Sequence, residues 1–305
     1  MEEFYYPSKG EGQIHACRWV PEGPVRAVVQ FVHGLSEYVG RYDDFARFLN
    51  EHGLVMVGED HMGHGKSVGE NGTLGYFAGG WDAAVADVHT LYELTRRDFP
   101  GVPYFLMGHS MGSFLVRSFL IRYPNSSLKG AVVMATGWAP DALLRSGRTV
   151  ISTLIRTQGE KAVSNKVQDL VFGTLAKPFC PPEGPMAWVC SNEETLESFL
   201  NDPLCGFPPT NALVRDMIDG LRMIQSRRNL DKMIKTLPVL FLSGEQDPLG
   251  DMGKGVVKTK KAFEKAGMLR TSLRLYPNMR HGILGETGHE QVCADLLAWM
   301  LEQLY

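Results

Sequence analysis

The stretch YFLMGHSMGSFL, Tyr104 to Leu115, decides the fold. It holds Gly108-His109-Ser110-Met111-Gly112, the pattern G-x-S-x-G, after a short apolar run and before a segment of helical character that ends ahead of Pro124. A nucleophile elbow needs that setting: a buried strand, a sharp turn carrying the serine, a helix, and glycines where strand and helix nearly touch. A second match, GKSVG at Gly65 to Gly69, lies in a glycine-rich loop followed by polar residues, and 33 glycines in 305 residues make a chance match unsurprising. Ser110 is therefore the candidate nucleophile. Ser67 is expected in a tight turn with its hydroxyl bonded to backbone. The same loop is no P-loop, because the pattern's first glycine falls at Asp60. His61 and His64 lack an HExxH motif or a Cys/His cluster, so they read as locally bonded loop histidines and no metal is expected.

Working outward, strand-like and helix-like segments alternate. QIHACRWV (13–20) alternates like a half-exposed strand, and RAVVQFVHG (26–34) reads as a buried strand ended by Gly34. RYDDFARFLNEHG (41–53) places Phe45, Phe48 and Leu49 on one helical face, with Gly53 as a stop. LVMVGED (54–60) is a strand, residues 81–98 a helix, and KGAVVMAT (129–136) another strand. About a hundred residues then pass before PVLFLSG (238–244), far too many for a plain connection in an α/β unit. That interval carries helical periodicities at 141–157 and 210–224, and it reads as an inserted, mostly helical cap. Afterwards come a helix at 254–266, a strand at SLRLYP (272–277) and a helix at 286–303. The expected architecture is α/β, a mainly parallel doubly wound sheet, with core residues 1–136 and 237–305 and a cap at 137–236.

A serine hydroxyl needs a base to take its proton. In this fold the partners follow in the order Ser, Asp or Glu, His, each in a loop past a strand's C-terminal end. SGEQDPLGD (243–251) offers Glu245, Asp247 and Asp251, and Asp247, before Pro248, is best placed. His281 follows the last strand closely, whereas His289 falls within the last predicted helix. His281 is expected to act as general base and then acid, with Asp247 holding its tautomer, so activity should fall on acidification. The backbone N–H groups of Met111, at the helix start, and Leu35, after the strand ending at Gly34, are the expected oxyanion donors.

These pieces together resemble the α/β-hydrolase fold, and within it the monoacylglycerol lipase and lysophospholipase branch of the serine-aminopeptidase-like hydrolases. The resemblance runs in order through VHGLSEYVGRY, EDHMGHGKS, GHSMGS, NDPLCGF, SGEQDPLGD and MRHGILGE. It implies Ser110, Asp247 and His281 as a triad and Leu35 and Met111 as oxyanion donors. It also implies Glu37 and Arg41 as polar residues near the alcohol part of a substrate; the plainer reading of those two is an ion pair fixing the loop. Members often carry an acidic residue directly after the catalytic histidine, where this chain has Gly282.

The bulk properties bound the function. A net charge of −3 gives no reason to expect nucleic acid, and no apolar run approaches the roughly 20 residues that span a bilayer. The acidic start lacks a signal-peptide h-region, and Cys17, Cys180, Cys190, Cys205 and Cys293 are scattered without CxxC, as reduced cytoplasmic thiols would be. The expected substrate is a lipid-like or medium-chain acyl ester, met without a cofactor and compatible with transient contact with lipid surfaces. Trp138, Leu143, Leu144, Phe179, Trp188 and Phe207 of the cap could line an acyl tunnel. The same triad could serve an aminopeptidase, thioesterase or acyltransferase; an aminopeptidase would need an acid for the amine, with Glu193, Glu194 and Glu197 available. A non-catalytic binder is disfavoured by the intact Ser, Asp, His order.

Overall fold

In the computed structural model, which describes residues 1–70, 72–179 and 184–305, the apolar runs form one eight-stranded sheet. Its strands are β1 (Glu2–Pro7), β2 (Gln13–Trp19), β3 (Ala27–Val32), β4 (Leu54–Glu59), β5 (Tyr104–His109), β6 (Gly130–Met134), β7 (Val239–Gly244) and β8 (Thr271–Tyr276). They lie in the order β1-β2-β4-β3-β5-β6-β7-β8. The β1–β2 and β2–β4 pairs are antiparallel and all the others parallel.

The central strands are apolar on both faces because helices cover both. Leu106, Val133 and Phe241 point into one core, while Phe105, Met107, Val132 and Leu242 point into the other. Helices α2 (Gly80–Asp98), α3 (Met111–Arg122) and α9 (Lys254–Lys265) pack on the first face, and α1 (Asp43–Glu51) and α10 (His289–Glu302) on the second. Each fully buried side chain of this kind contributes about 1.5–3 kcal/mol by leaving water.

Between β6 and β7 the described residues form α4 (Asp141–Gln158), α5 (Asn165–Val171), α6 (Glu193–Asn201), α7 (Asn211–Gln225) and α8 (Arg227–Leu230). Helix α7 starts at Thr210, whose hydroxyl oxygen accepts from the Leu213 N–H at 3.2 Å, and it lies against α2 and α3. Contact there is close, because a β-carbon at Gly220 would stand 2.4 Å from the Trp81 ring.

Two expectations change, and one strand is additional. β2 is not half-exposed: Ile14, His15, Ala16 and Cys17 are all buried, since β1 flanks it and Asp60 holds His15 Nδ1 at 2.8 Å. The acidic start, to which the sequence assigns no element, is the edge strand β1. The last helix begins at His289 rather than 286, after Gly288 in the left-handed region at φ 83°. Cys17, Cys190, Cys205 and Cys293 are buried and unpaired; Cys180 lies outside the described residues. Among the described residues no helix is long and apolar enough to cross a membrane.

Candidate active site

Ser110 sits between β5 and α3 with φ 54° and ψ −122°, a conformation that costs an L-residue about 1–3 kcal/mol. The flanking glycines make the turn possible. A β-carbon at Gly108 would lie 2.4 Å from the Gly112 carbonyl oxygen, and one at Gly112 would lie 2.0 Å from that of Val32. The turn is pinned by the Ser110 N–H donating to Met134 O at 3.1 Å and by Ser113 Oγ donating to Ser110 O at 2.6 Å.

Past β7, Asp247 is completely buried, whereas Glu245 and Asp251 are exposed. Its Oδ1 accepts from the Leu249 N–H at 2.9 Å, and its Oδ2 lies 3.2 Å from Ser243 Oγ and 3.0 Å from His281 Nδ1. A carboxylate on Nδ1 leaves Nε2 of a neutral imidazole as the acceptor. Ser110 and His281 line the same cavity, as do Leu35 and Met111. His289 stands apart, its Nδ1 2.9 Å from Glu286 O.

The Leu35 loop is held from behind. The His61 N–H donates to His33 Nε2 at 3.0 Å, which leaves the proton on Nδ1, and Nδ1 donates to Gly34 O at 2.8 Å. Burial, with His61 and His64 nearby, keeps the His33 pKa well below the usual histidine range. In a trans peptide the carbonyl and N–H point opposite ways. Holding Gly34 O against His33 therefore turns the Leu35 N–H to the other side. Met111 opens α3, so its N–H has no acceptor one turn back in the helix. No protein acceptor engages either N–H among the described residues. A β-carbon at Gly34 would stand 3.1 Å from Ser110 Cβ, so this loop and the serine turn adjoin.

Glu37 does not pair with Arg41. Its Oε1 accepts from the Gly34 N–H at 2.5 Å, lies 3.1 Å from His109 Nδ1 and accepts from Tyr42 OH at 2.9 Å. Burial raises the Glu37 pKa, but the His109 hydrogen bond and charge, Arg41 and Gly34 outweigh it and bring it down to about 2. Burial opposes the charge on His109, yet Glu37 and the His281 carbonyl raise its pKa above the usual histidine value. His109 Nε2 faces His281 O at 3.2 Å, so both ring nitrogens meet acceptors, as an imidazolium requires. His109 and Tyr42 carried no role in the sequence reading; an ionisable residue inside G-x-S-x-G was the available signal.

Arg41 does not line the cavity. Its Nη1 donates to Cys205 Sγ at 3.2 Å, and its guanidinium lies over the Phe199 ring at 4.9 Å. Of the six apolar candidates, Trp138, Leu143, Leu144 and Trp188 line the cavity. Phe179 packs under Arg280 at 4.2 Å instead, and Phe207 against His64 at 5.2 Å. Glu193, Glu194 and Glu197 are exposed on α6, outside the cavity. Ser67 is the backbone-bonded residue expected, donating to Asp60 O at 2.6 Å. His61 Nε2 meets His33 O at 3.0 Å, and among the described residues no group of three metal-ligating side chains occurs.

The chain is 29% identical over 274 residues to the monoglyceride lipase of Homo sapiens, covering 84% of this chain and 80% of that one. It is 27% identical over 287 residues to the monoacylglycerol lipase of Mycolicibacterium smegmatis, covering 94% and 92%. The fold matches a carboxyl esterase from Bacillus coagulans solved with glycerol at a TM-score of 0.93 and 24% identity, covering 100% and 99% of the two chains. The fold is therefore that of the α/β-hydrolases. A profile described as serine aminopeptidase, S33 matches residues 23–288, and the chain belongs to that family.

Proposed function

We propose that this chain is a serine carboxylic-ester hydrolase of the monoacylglycerol lipase or lysophospholipase kind, working through an acyl-enzyme on Ser110. The observation that carries the reading is the buried Asp247–His281 pair at 3.0 Å, with His281 sharing the wall of one largely apolar cavity with Ser110. Ser110 Oγ attacks the ester carbonyl carbon while His281 Nε2 takes its proton. The Leu35 and Met111 N–H groups hold the oxyanion, a service worth about 10²–10³ in rate per donor. Collapse breaks the ester C–O bond, and His281 returns the proton to the leaving alcohol. Water, deprotonated by His281, then attacks the acyl carbon and releases the acid and Ser110.

The lipase names of the relatives support an acylglycerol-like ester. The apolar walls suit the acyl chain, and Glu37 with His109 forms the polar end that meets the alcohol; Arg41, outside the wall, is not assigned there. Residues 137–236 act as the cap over this cavity. Buried, unpaired thiols fit a reducing compartment such as the cytoplasm. An aminopeptidase reading loses its proposed amine anchors, because Glu193, Glu194 and Glu197 face solvent.

The test is turnover of p-nitrophenyl esters of graded length beside monoolein, lysophosphatidylcholine and aminoacyl anilides. Ester turnover is expected, and anilide turnover without ester turnover overturns the reading. Ser110→Ala should remove activity by about 10⁶-fold.

A further inference from the structure

The loops carrying His281 and Leu35 leave strands β8 and β3, which are separated in the sheet by β5, β6 and β7. One stretch of the insertion bonds to both. At its first end, the Gly282 N–H donates to Val189 O at 2.7 Å, and Arg280 Nη1 donates to Ala187 O at 2.7 Å. Thr195 Oγ1 donates to Gly285 O at 2.9 Å. The buried Glu286 carboxylate accepts from the Arg280 N–H at 2.8 Å, from the Ser191 N–H at 3.0 Å and from the Ser191 hydroxyl. At its other end, the Gly206 N–H donates to Ser36 O at 2.9 Å, and Ser36 Oγ donates to Phe207 O at 2.6 Å. Tyr38 OH donates to Asp202 Oδ2 at 2.8 Å. Ser36, next to Leu35, is held in the left-handed region at φ 56°, which a non-glycine residue keeps only when its surroundings impose it. Helix α6, capped by Asn192 Oδ1 on the Thr195 N–H at 3.1 Å, joins the two ends.

We propose that residues 187–207 are a brace that sets the base loop and the oxyanion loop relative to each other. Ser191, Thr195 and Tyr38 are then positioning residues; the proposal rests on the Ser110–Asp247–His281 reading. The brace also supplies the support for His281 that an acidic neighbour would give, since Gly282 bonds to Val189 through its backbone. A segment that only encloses the acyl chain would matter for long esters alone. A brace matters for every ester, because it acts on the reacting groups.

The experiment compares p-nitrophenyl acetate with p-nitrophenyl octanoate for Ser191→Ala, Thr195→Val and Tyr38→Phe. Each is expected to lower kcat on the acetate about 5–10-fold, with KM unchanged and the protein still fully folded at the assay temperature. Ser191→Thr restores the hydroxyl and should restore kcat. The double variant Ser191→Ala/Tyr38→Phe should lose less than the product of the single losses, because a strut freed at one end no longer constrains the other. Parental kcat on the acetate with losses confined to the octanoate overturns the brace, and so do losses that multiply in full. If Ser191→Ala folds poorly, Tyr38→Phe carries the test from the other end. Parent turnover that survives Ser110→Ala would instead sink the hydrolase reading.

Discussion

At the residue scale, the unexpected feature is a buried carboxylate–imidazole pair beside the proposed nucleophile. Glu37 takes the Gly34 N–H and the His109 ring, and His109 also reaches the His281 carbonyl, so one imidazole ring joins the serine turn to the loops of Gly34 and His281. Its pH signature follows from the two shifts. The Glu37 pKa is lowered from 4.5 to about 2, so its contribution is present above 4.5 and is lost as the pH falls toward 2. That of His109 is raised above 6.5, so its contribution is complete below 6.5 and is lost as the pH rises through the raised value. Both act between 4.5 and 6.5. The margin by which the parent's melting temperature exceeds that of His109→Gln should therefore narrow as the pH rises above that window. Melting curves that stay parallel for parent and variant at every pH would sink this assignment.

At the element scale, the serine turn depends on how closely β3, β5 and α3 approach. Gly112→Ala puts a methyl group 2.0 Å from the Val32 carbonyl oxygen, backbone that cannot move aside without shifting a central strand. The expected cost is about 1–3 kcal/mol of stability together with most of the activity, read by denaturant unfolding and ester turnover. A variant as stable and active as the parent would mean that the turn is less tight. The same elements show what the sequence could tell. Buried parallel strands flanked by amphipathic helices write themselves as apolar runs and helical periodicity, so β3 to β8 and the helices of the core were legible. Strand β1 was not, because an exposed edge alternates weakly: Glu2, Glu3 and Tyr5 face solvent. The placing of Asp247 and His281 in loops past strand ends was legible from chain order, and their 3.0 Å contact follows from that placing. The Glu37–His109 pair and the residue 187–207 contacts were not, since they join segments far apart in sequence through single hydrogen bonds that leave no periodicity.

At the scale of the whole molecule, the sheet sets Ser110, Asp247 and His281 past strand ends at one rim, and the residues between β6 and β7 add apolar walls to the cavity beside Ser110 and His281. The cavity has a volume of about 860 Å³, with Phe114, Leu144, Met217, Ile218 and Leu221 among its apolar walls and Glu37, His109, Gln168, Asp169, Lys177 and His281 among its polar groups. Such a chamber rewards chain length. Each methylene moved fully out of water is worth about 0.8 kcal/mol, so kcat/KM can rise by at most about fourfold per added carbon. The rise should continue while the chain finds apolar wall and level off once the chamber is filled. Ile218→Asp puts a carboxylate on that wall, where an acyl chain would have to strip its water. It should erase the gain on long esters while leaving p-nitrophenyl acetate turnover close to that of the parent. This is the opposite signature from the brace variants, which lose turnover on the short ester itself. A length series that is flat in the parent, or an Ile218→Asp variant that keeps the full gain on long esters, would mean that the acyl chain lies elsewhere on the molecule.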